Sequence, residues 1–205
     1  MPRGLFITFE GPEGSGKTTQ IELLGRALKD RRPVLVREPG GTQLGERLRE
    51  VLLHSRLELD PEAEMLLFMA ARRQLLAEVV LPALAEGRVV LVDRYHDSTL
   101  AYQGGGRGAP TYWPESFPRP DLTFLLELPA EAGLDRHSSA GKNADRLEAE
   151  APEFHRRVTA EYDRLAAAEP HRFVRLNARL PAGELQAEVL DRVNELLKGA
   201  TPRSS

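Results

Sequence analysis

The chain predicts an α/β fold of three layers, a parallel sheet with helices on both faces. Two observations carry this. Strand-like runs alternate with helix-like segments five times along the 205 residues. The runs are continuously apolar, as in strands buried on both faces, where a half-exposed strand would alternate. Ligands of such sheets sit beyond the carboxyl ends of the strands, so residues at those ends are the first candidates for function.

The elements follow in order. Leu5–Phe9 is apolar and β-prone, a buried first strand. Gly11-Pro-Glu-Gly-Ser-Gly-Lys17-Thr18 is a tight Gly-rich turn, and Thr19–Lys29 reads as a helix with Ile21, Leu24 and Leu28 on one face. Val34–Arg37 is a short strand stopped by Glu38-Pro-Gly-Gly41. Leu44–Leu53 has helical spacing. Asp60-Pro61 is an N-cap followed by proline at the first helical position. It opens a long helix to about Ala85, which Pro82 should kink or shorten. Arg88–Asp93 is the third strand, and the Gly/Pro-rich stretch from Gly104 to Pro120 reads as loop, packed down by Trp113. Leu122–Leu126 is the fourth strand, and Pro129 can open a short helix. Residues 137–145 lack apolar periodicity and read as a mobile surface segment. Pro152–Ala168 is helical, Phe173–Leu176 is the fifth strand, and Pro181–Leu197 is a last helix. One domain over residues 1–198 and a short tail, 199–205, are expected.

Composition excludes several classes. A net charge of -3 gives no polybasic surface for nucleic acid or membrane. No run approaches the ~18 apolar residues of a membrane span, and no apolar signal segment precedes the first strand. A cytoplasmic protein is expected. With no cysteine there is no disulfide, thiol nucleophile or thiolate metal site. The five histidines are scattered without ligand spacing and are expected mostly at the surface.

The chemistry begins at Gly11–Thr18, a complete G-x-x-x-x-G-K-[ST] phosphate-binding loop between strand and helix. Its unpaired N–H groups and the helix dipole make an anion site. Gly11, Gly14 and Gly16 permit the turn, Lys17 can reach the outer phosphates of a nucleoside triphosphate, and the Thr18 hydroxyl can ligate Mg²⁺. Asp93 ends an apolar strand, where a carboxylate can hold that metal through water. Arg94 follows it. A motor ATPase would carry a water-activating glutamate there, whereas a cation suits a second phosphate. Arg37, Arg49 and Arg72 lie near the same cleft edge. Phe68 and Arg72, four apart on one helix face, suit a base: the ring stacks and the guanidinium donates to a carbonyl oxygen.

From Phe9 to about Asn177 the chain resembles the bacterial-type thymidylate kinases. The resemblance rests on the Phe9–Thr19 loop, Arg37-Glu-Pro-Gly-Gly-Thr42, Leu67-Phe-Met-Ala-Ala-Arg72 and the run Asp93–Gly104. It implies a P-loop kinase fold with strand order 2-3-1-4-5, a mobile lid at about 136–148, and transfer of a phosphoryl group from ATP to dTMP with Mg²⁺. It implies that Gly11, Pro12, Glu13, Gly14, Ser15, Gly16, Lys17, Thr18 and Thr19 bind ATP, with Thr18, Asp93 and Glu13 toward the metal. It implies that Arg37 and Arg94 hold the monophosphate and that Arg49 lines the same pocket. Phe68 would stack on thymine and Arg72 would meet its O4. Thr99 and Gln103 would contact the base, Tyr102 would sit under the sugar, and Glu13 would lie near the 3′-hydroxyl. Lys17 and Arg94 would be catalytic with a lid cation, for which Arg136, Lys142 and Arg146 are the candidates. A cis Glu38-Pro39 bond and a homodimer, using the apolar faces of the 44–53 and 61–85 helices, are also implied. Two other readings stay open on the sequence: another P-loop nucleotide or deoxynucleoside kinase, and a nucleotide-dependent switch with no acceptor.

Overall fold

A computed structural model describes residues 3–129, 132–133 and 145–199. Five parallel strands form one sheet: β1 (Phe6–Glu10), β2 (Val34–Arg37), β3 (Val90–Asp93), β4 (Leu122–Glu127) and β5 (Phe173–Asn177). Their order is β2-β3-β1-β4-β5, as the resemblance implied. The central strands β1, β3 and β4 are buried almost throughout. Edge strand β2 shows one face to solvent, with Leu35 exposed. Covering on both faces thus holds for the centre and lapses at that edge, where an apolar run alone does not say how many neighbours a strand has.

Helix α1 (Lys17–Ala27) packs Ile21 and Leu24 beneath the sheet with the last helix of the chain. Helix α2 (Gln43–Arg49) is capped by Thr42, whose hydroxyl accepts from the Gly45 N–H at 2.9 Å, and runs on through a π turn, Glu50–His54. Asp60 caps α3 (Pro61–Leu75), accepting from the N–H groups of Glu62 and Ala63, as its position before Pro61 predicts. The helix continues through a π turn, Leu76–Val80, into Leu81–Ala85. Pro82 therefore does not end it: the helix widens into a π turn directly before the proline, which stands at the start of the resumed α segment.

The largest departure from expectation is α4, which starts at His96–Thr99 and continues as Leu100–Gly106. Gly104–Gly106 read as loop; they are helical because α5 (Pro152–Ala168) lies against them. A Cβ on Gly105 would stand 2.6 Å from that of Glu161, and one on Gly106 would stand 2.4 Å from the Phe154 ring. These glycines serve close helix approach, which composition cannot distinguish from flexibility. Helix α6 (Ala182–Gly199) closes the chain, burying Leu185, Val189 and Val193. Against expectation, His96 and His155 are buried. Among the described residues no helix is long and apolar enough to cross a membrane.

Sheet register brings the functional ends together. Arg37 and Phe9 both stand beside Asp93, and the Arg94 N–H donates to the Phe9 carbonyl at 3.0 Å. Three strand ends and the loop after β1 thereby share one edge.

Candidate active site

A cleft of about 930 Å³ opens at that edge, lined by the phosphate-binding loop, the ends of β2 and β3, and faces of α3 and α4. At one end the loop turns at Gly11, whose φ is 128° and where a Cβ would stand 2.3 Å from the Leu126 carbonyl oxygen. Only glycine fits there. Gly16 precedes α1 in a left-handed conformation, and no side chain caps the helix. Its first N–H groups are therefore left for an anion. The Lys17 ammonium donates to the carbonyls of Pro12 (2.8 Å) and Gly11 (3.2 Å), and the Ser15 hydroxyl donates to Pro12 at 2.8 Å. Burial, and then the charge of Arg94, pull Lys17 below the ordinary lysine range. The Thr18 hydroxyl donates to Asp93 Oδ2 at 2.6 Å, joining the loop to the end of β3.

Arg94 forms the second cationic spot. It adopts φ 67°, a left-handed conformation costing a bulky residue on the order of 1 kcal/mol, and so turns its side chain into the cleft. Its guanidinium pairs with Glu13 and donates to the hydroxyls of Tyr102 (3.2 Å), Ser98 (3.2 Å) and Tyr162 (3.4 Å). Burial opposes its charge, but Glu13 and its other neighbours outweigh burial and hold Arg94 well above the usual value. Burial raises the Tyr102 phenol to about 12, so it remains a neutral hydroxyl that accepts from Arg94.

Beneath Arg94 lies Glu10, fully buried, which was given no role by sequence reasoning. It accepts from the Tyr95 N–H (2.7 Å), the Ser98 hydroxyl (2.5 Å) and the Tyr162 hydroxyl (2.9 Å). The available signal was a glutamate closing a mostly apolar strand directly before Gly11. Burial, then Asp97, push its carboxyl from 4.5 to about 7. The folded chain thus keeps a proton that the unfolded chain releases between those values. Wild-type stability should fall across that window, and Glu10→Gln, which cannot ionise, should lack that part of the decline. Relative to wild type, the variant should gain on the order of 2–3 kcal/mol between pH 4.5 and 7.5. Urea unfolding at both pH values measures this; parallel pH profiles would mean that Glu10 ionises as an exposed glutamate does.

The other end of the cleft carries Arg37, Arg49, Phe68, Arg72, Thr99, Tyr102 and Gln103, all of which line it. Arg37, at the tip of β2, donates to Glu46 at 3.4 Å. Arg49 donates to the Pro39 carbonyl at 2.9 Å, and the Glu38-Pro39 bond is cis. Arg72 is 1% exposed. It donates to Glu38 (2.6 Å), His96 Nδ1 (3.0 Å), Thr99 (2.8 Å) and the Tyr95 carbonyl (3.0 Å). His96 Nε2 donates to the Tyr112 carbonyl at 2.7 Å, which leaves Nδ1 as acceptor. Burial, with the charge of Arg72, lowers His96 to about 3, so it stays neutral. Phe68 lies one turn from Arg72 on the same face of α3.

The lid candidates fare differently. Arg136 and Lys142 lie outside the described residues. Arg146 does not line the cleft: its Nε donates to the Leu52 carbonyl at 2.9 Å, and its Nη2 stands 2.6 Å from Glu64 Oε2. That approach is too bent for a hydrogen bond and is a charge contact. The Asp145–Glu148 turn does present Asp145, Leu147 and Glu148 to the cleft. Ser98, Tyr162 and Glu64 join Glu10 as residues that sequence reasoning missed. Tyr162 is 68 residues from Arg94, and no spacing rule connects them.

A parallel sheet in this order, with a phosphate-binding loop at one end of a cleft and arginines lining its other end, defines a P-loop kinase. A family model described as thymidylate kinase matches residues 9–189. The chain is 48% identical over 205 residues to a curated thymidylate kinase of Pelotomaculum thermopropionicum, covering 95% of each chain. It is 48% identical to that of Deinococcus radiodurans, over 95% of this chain and 98% of that one. A crystal structure of thymidylate kinase from Ehrlichia chaffeensis matches with TM-score 0.74 and 32% identity, over 94% of this chain and all of that one. The chain belongs to the thymidylate kinase family and is a phosphotransferase.

Proposed function

We propose that the cleft binds ATP on the Gly11–Thr19 loop and dTMP against Arg37, Arg49, Phe68, Arg72, Arg94, Thr99, Tyr102 and Gln103. The γ-phosphoryl group passes from ATP to the dTMP phosphate, giving ADP and dTDP. The carrying observation is that two cationic sites share one frame. Lys17 belongs to the loop that Thr18 joins to Asp93, and Arg94, the next residue, pairs back to Glu13 of that loop. Two anions that repel each other can be held end to end there.

The attacking oxygen of a phosphate monoester is already ionised near neutral pH, so no general base is required. Positioning and charge neutralisation supply the rate. Lys17 and the α1 N-terminus hold the donor phosphates, and Arg37 and Arg94 orient the acceptor. Thr18 and Asp93 form an all-oxygen donor pair. Mg²⁺ is commonly held by one or two such groups plus substrate phosphates, so the pair fits it although no group of three or more carboxylate or histidine ligands occurs among the described residues. When bound, Mg²⁺ supplies neutralisation of triphosphate charge. Burial of Phe68 and Arg72 supports stacking of a base with donation to its carbonyl, and the reading puts Tyr102, which lines the cleft beside Arg94, under the sugar.

A coupled ADP assay across nucleoside monophosphates tests this reading. ADP should form stoichiometrically with dTMP, weakly with dUMP and negligibly without an acceptor. A methyl pocket contributes only about 1–3 kcal/mol, so dUMP should be poor without being excluded. Equal specificity constants for dTMP and dUMP would remove the methyl pocket; ADP release without acceptor would favour a hydrolase or switch. The proposal extends to a single kinase domain over residues 1–198, a cytoplasmic location and a homodimer. Exposed Leu44 and Leu66 on the packed helices α2 and α3 support an apolar contact, which sedimentation velocity would show as a species of twice the chain mass.

A further inference from the structure

We infer that Glu64 is a positioning residue for base choice: it dictates which end of the Gln103 amide looks into the cleft. This rests on the reading of the Phe68–Arg72–Gln103 end as the base pocket. Gln103 Nε2 donates to Glu64 Oε1 at 2.8 Å. Glu64 is completely buried and faces two guanidiniums, Arg107 at 3.5 Å and Arg146 at 2.6 Å. A carboxylate placed between two cations accepts and does not donate. The amide nitrogen is therefore held on the Glu64 side, and Oε1 is turned away from it. Among the described residues that oxygen has no hydrogen-bond partner and is not sealed from solvent, while Gln103 lines the cleft.

The neighbouring group has the opposite character. Arg72 has five N–H donors, and four are committed to Glu38, His96, Thr99 and the Tyr95 carbonyl, leaving one on Nη2. Thr99 and Gln103 are one turn apart on α4, so the Arg72 and Gln103 groups border the same part of the cleft. The pocket thus offers one acceptor beside one donor. A 2,4-dioxopyrimidine presents the complement, an N3–H donor next to the O4 acceptor. Cytosine presents the reverse, a bare N3 acceptor next to a 4-amino donor. With the amide flipped, the acceptor at Gln103 would become a donor, and the preference for thymine over cytosine would weaken. Glu64 touches no substrate and acts only through this orientation.

The test is the ratio of kcat/KM for dTMP to that for dCMP. Glu64→Gln can either accept from or donate to Gln103, so both amide orientations become available. The ratio should fall about tenfold or more, the worth of one misdirected buried hydrogen bond, with the dTMP effect mainly in KM. Arg107→Gln removes a cation but keeps the Glu64 acceptor and should leave the ratio unchanged. Where Glu64→Gln alone does not fold, Glu64→Gln with Arg107→Gln relieves part of the stranded positive charge and carries the same expectation. A folded Glu64→Gln protein, single or double, with the wild-type ratio would overturn the inference, since a merely structural role would slow both substrates alike. Wild-type enzyme with N3-methyl-dTMP separates the two layers. Unimpaired use of that analogue would refute the base-pocket reading itself, whereas its rejection together with an unchanged Glu64→Gln ratio would refute only the role of Glu64.

Discussion

Lys17→Ala should lower turnover with ATP and dTMP by on the order of 10²- to 10³-fold, the loss expected of one preorganised group in charge stabilisation. The reason is geometric. Lys17 is 5% exposed, and its ammonium rests on carbonyls of its own loop, Pro12 and Gly11. It is held at the helix N-terminus before any phosphate arrives, so little is spent on ordering it. Burial has already removed much of its hydration and drawn its pKa down. A bound phosphate anion should favour the charged ammonium and oppose that downward shift. Steady-state kinetics with a thermal-unfolding control checks the result. A folded Lys17→Ala enzyme within fivefold of wild type would show that the α1 N-terminus suffices for the donor phosphates.

Arg94→Ala should nearly abolish transfer, by about 10³-fold, while leaving ATP binding within a fewfold of wild type. Arg94 holds Glu13, Tyr102, Ser98 and Tyr162 around one guanidinium. Its removal takes a cation from the acceptor side and leaves the Glu13 carboxylate nearer to an incoming monophosphate. The loss should therefore exceed that of a simple phosphate contact. Arg94→Lys should recover only part of it, because an ammonium retains charge without the fork that reaches several hydroxyls at once. Calorimetric ATP titration paired with turnover separates the two effects. Equal losses in ATP affinity and turnover would assign Arg94 to the donor site; near-normal turnover would remove it from the mechanism.

Both positions are legible in the sequence, because the constraint on each is local. Lys17 follows from a motif in which loop, glycines and helix start are contiguous, and Arg94 from its place after Asp93 at the end of an apolar strand. The pair Phe68–Arg72 follows from helical periodicity, and the order of strands from the family resemblance. Residues that act through distant partners were not legible. Glu10 is one residue from the phosphate loop, but its hydroxyl donors come from α4 and α5. Arg146, a lid candidate by position, is held instead by Glu64, 82 residues earlier in the chain. Gly104–Gly106 looked like a loop because their helical role depends on Phe154 and Glu161 pressing against them.

Taken alone, the order of residues determined the strands, the phosphate loop, the strand ends that line the cleft and the cationic character of that cleft. Each depends on periodicity or on neighbours within a few positions. Tertiary packing decided which charged and polar groups meet: Arg94 with Glu13 and Tyr162, Arg72 with Glu38 and His96, Gln103 and Arg146 with Glu64. Buried polar groups must find partners wherever the chain brings them. Which partner that is follows from helix approach at α4 and α5 and from strand register, quantities that spacing along a sequence does not encode.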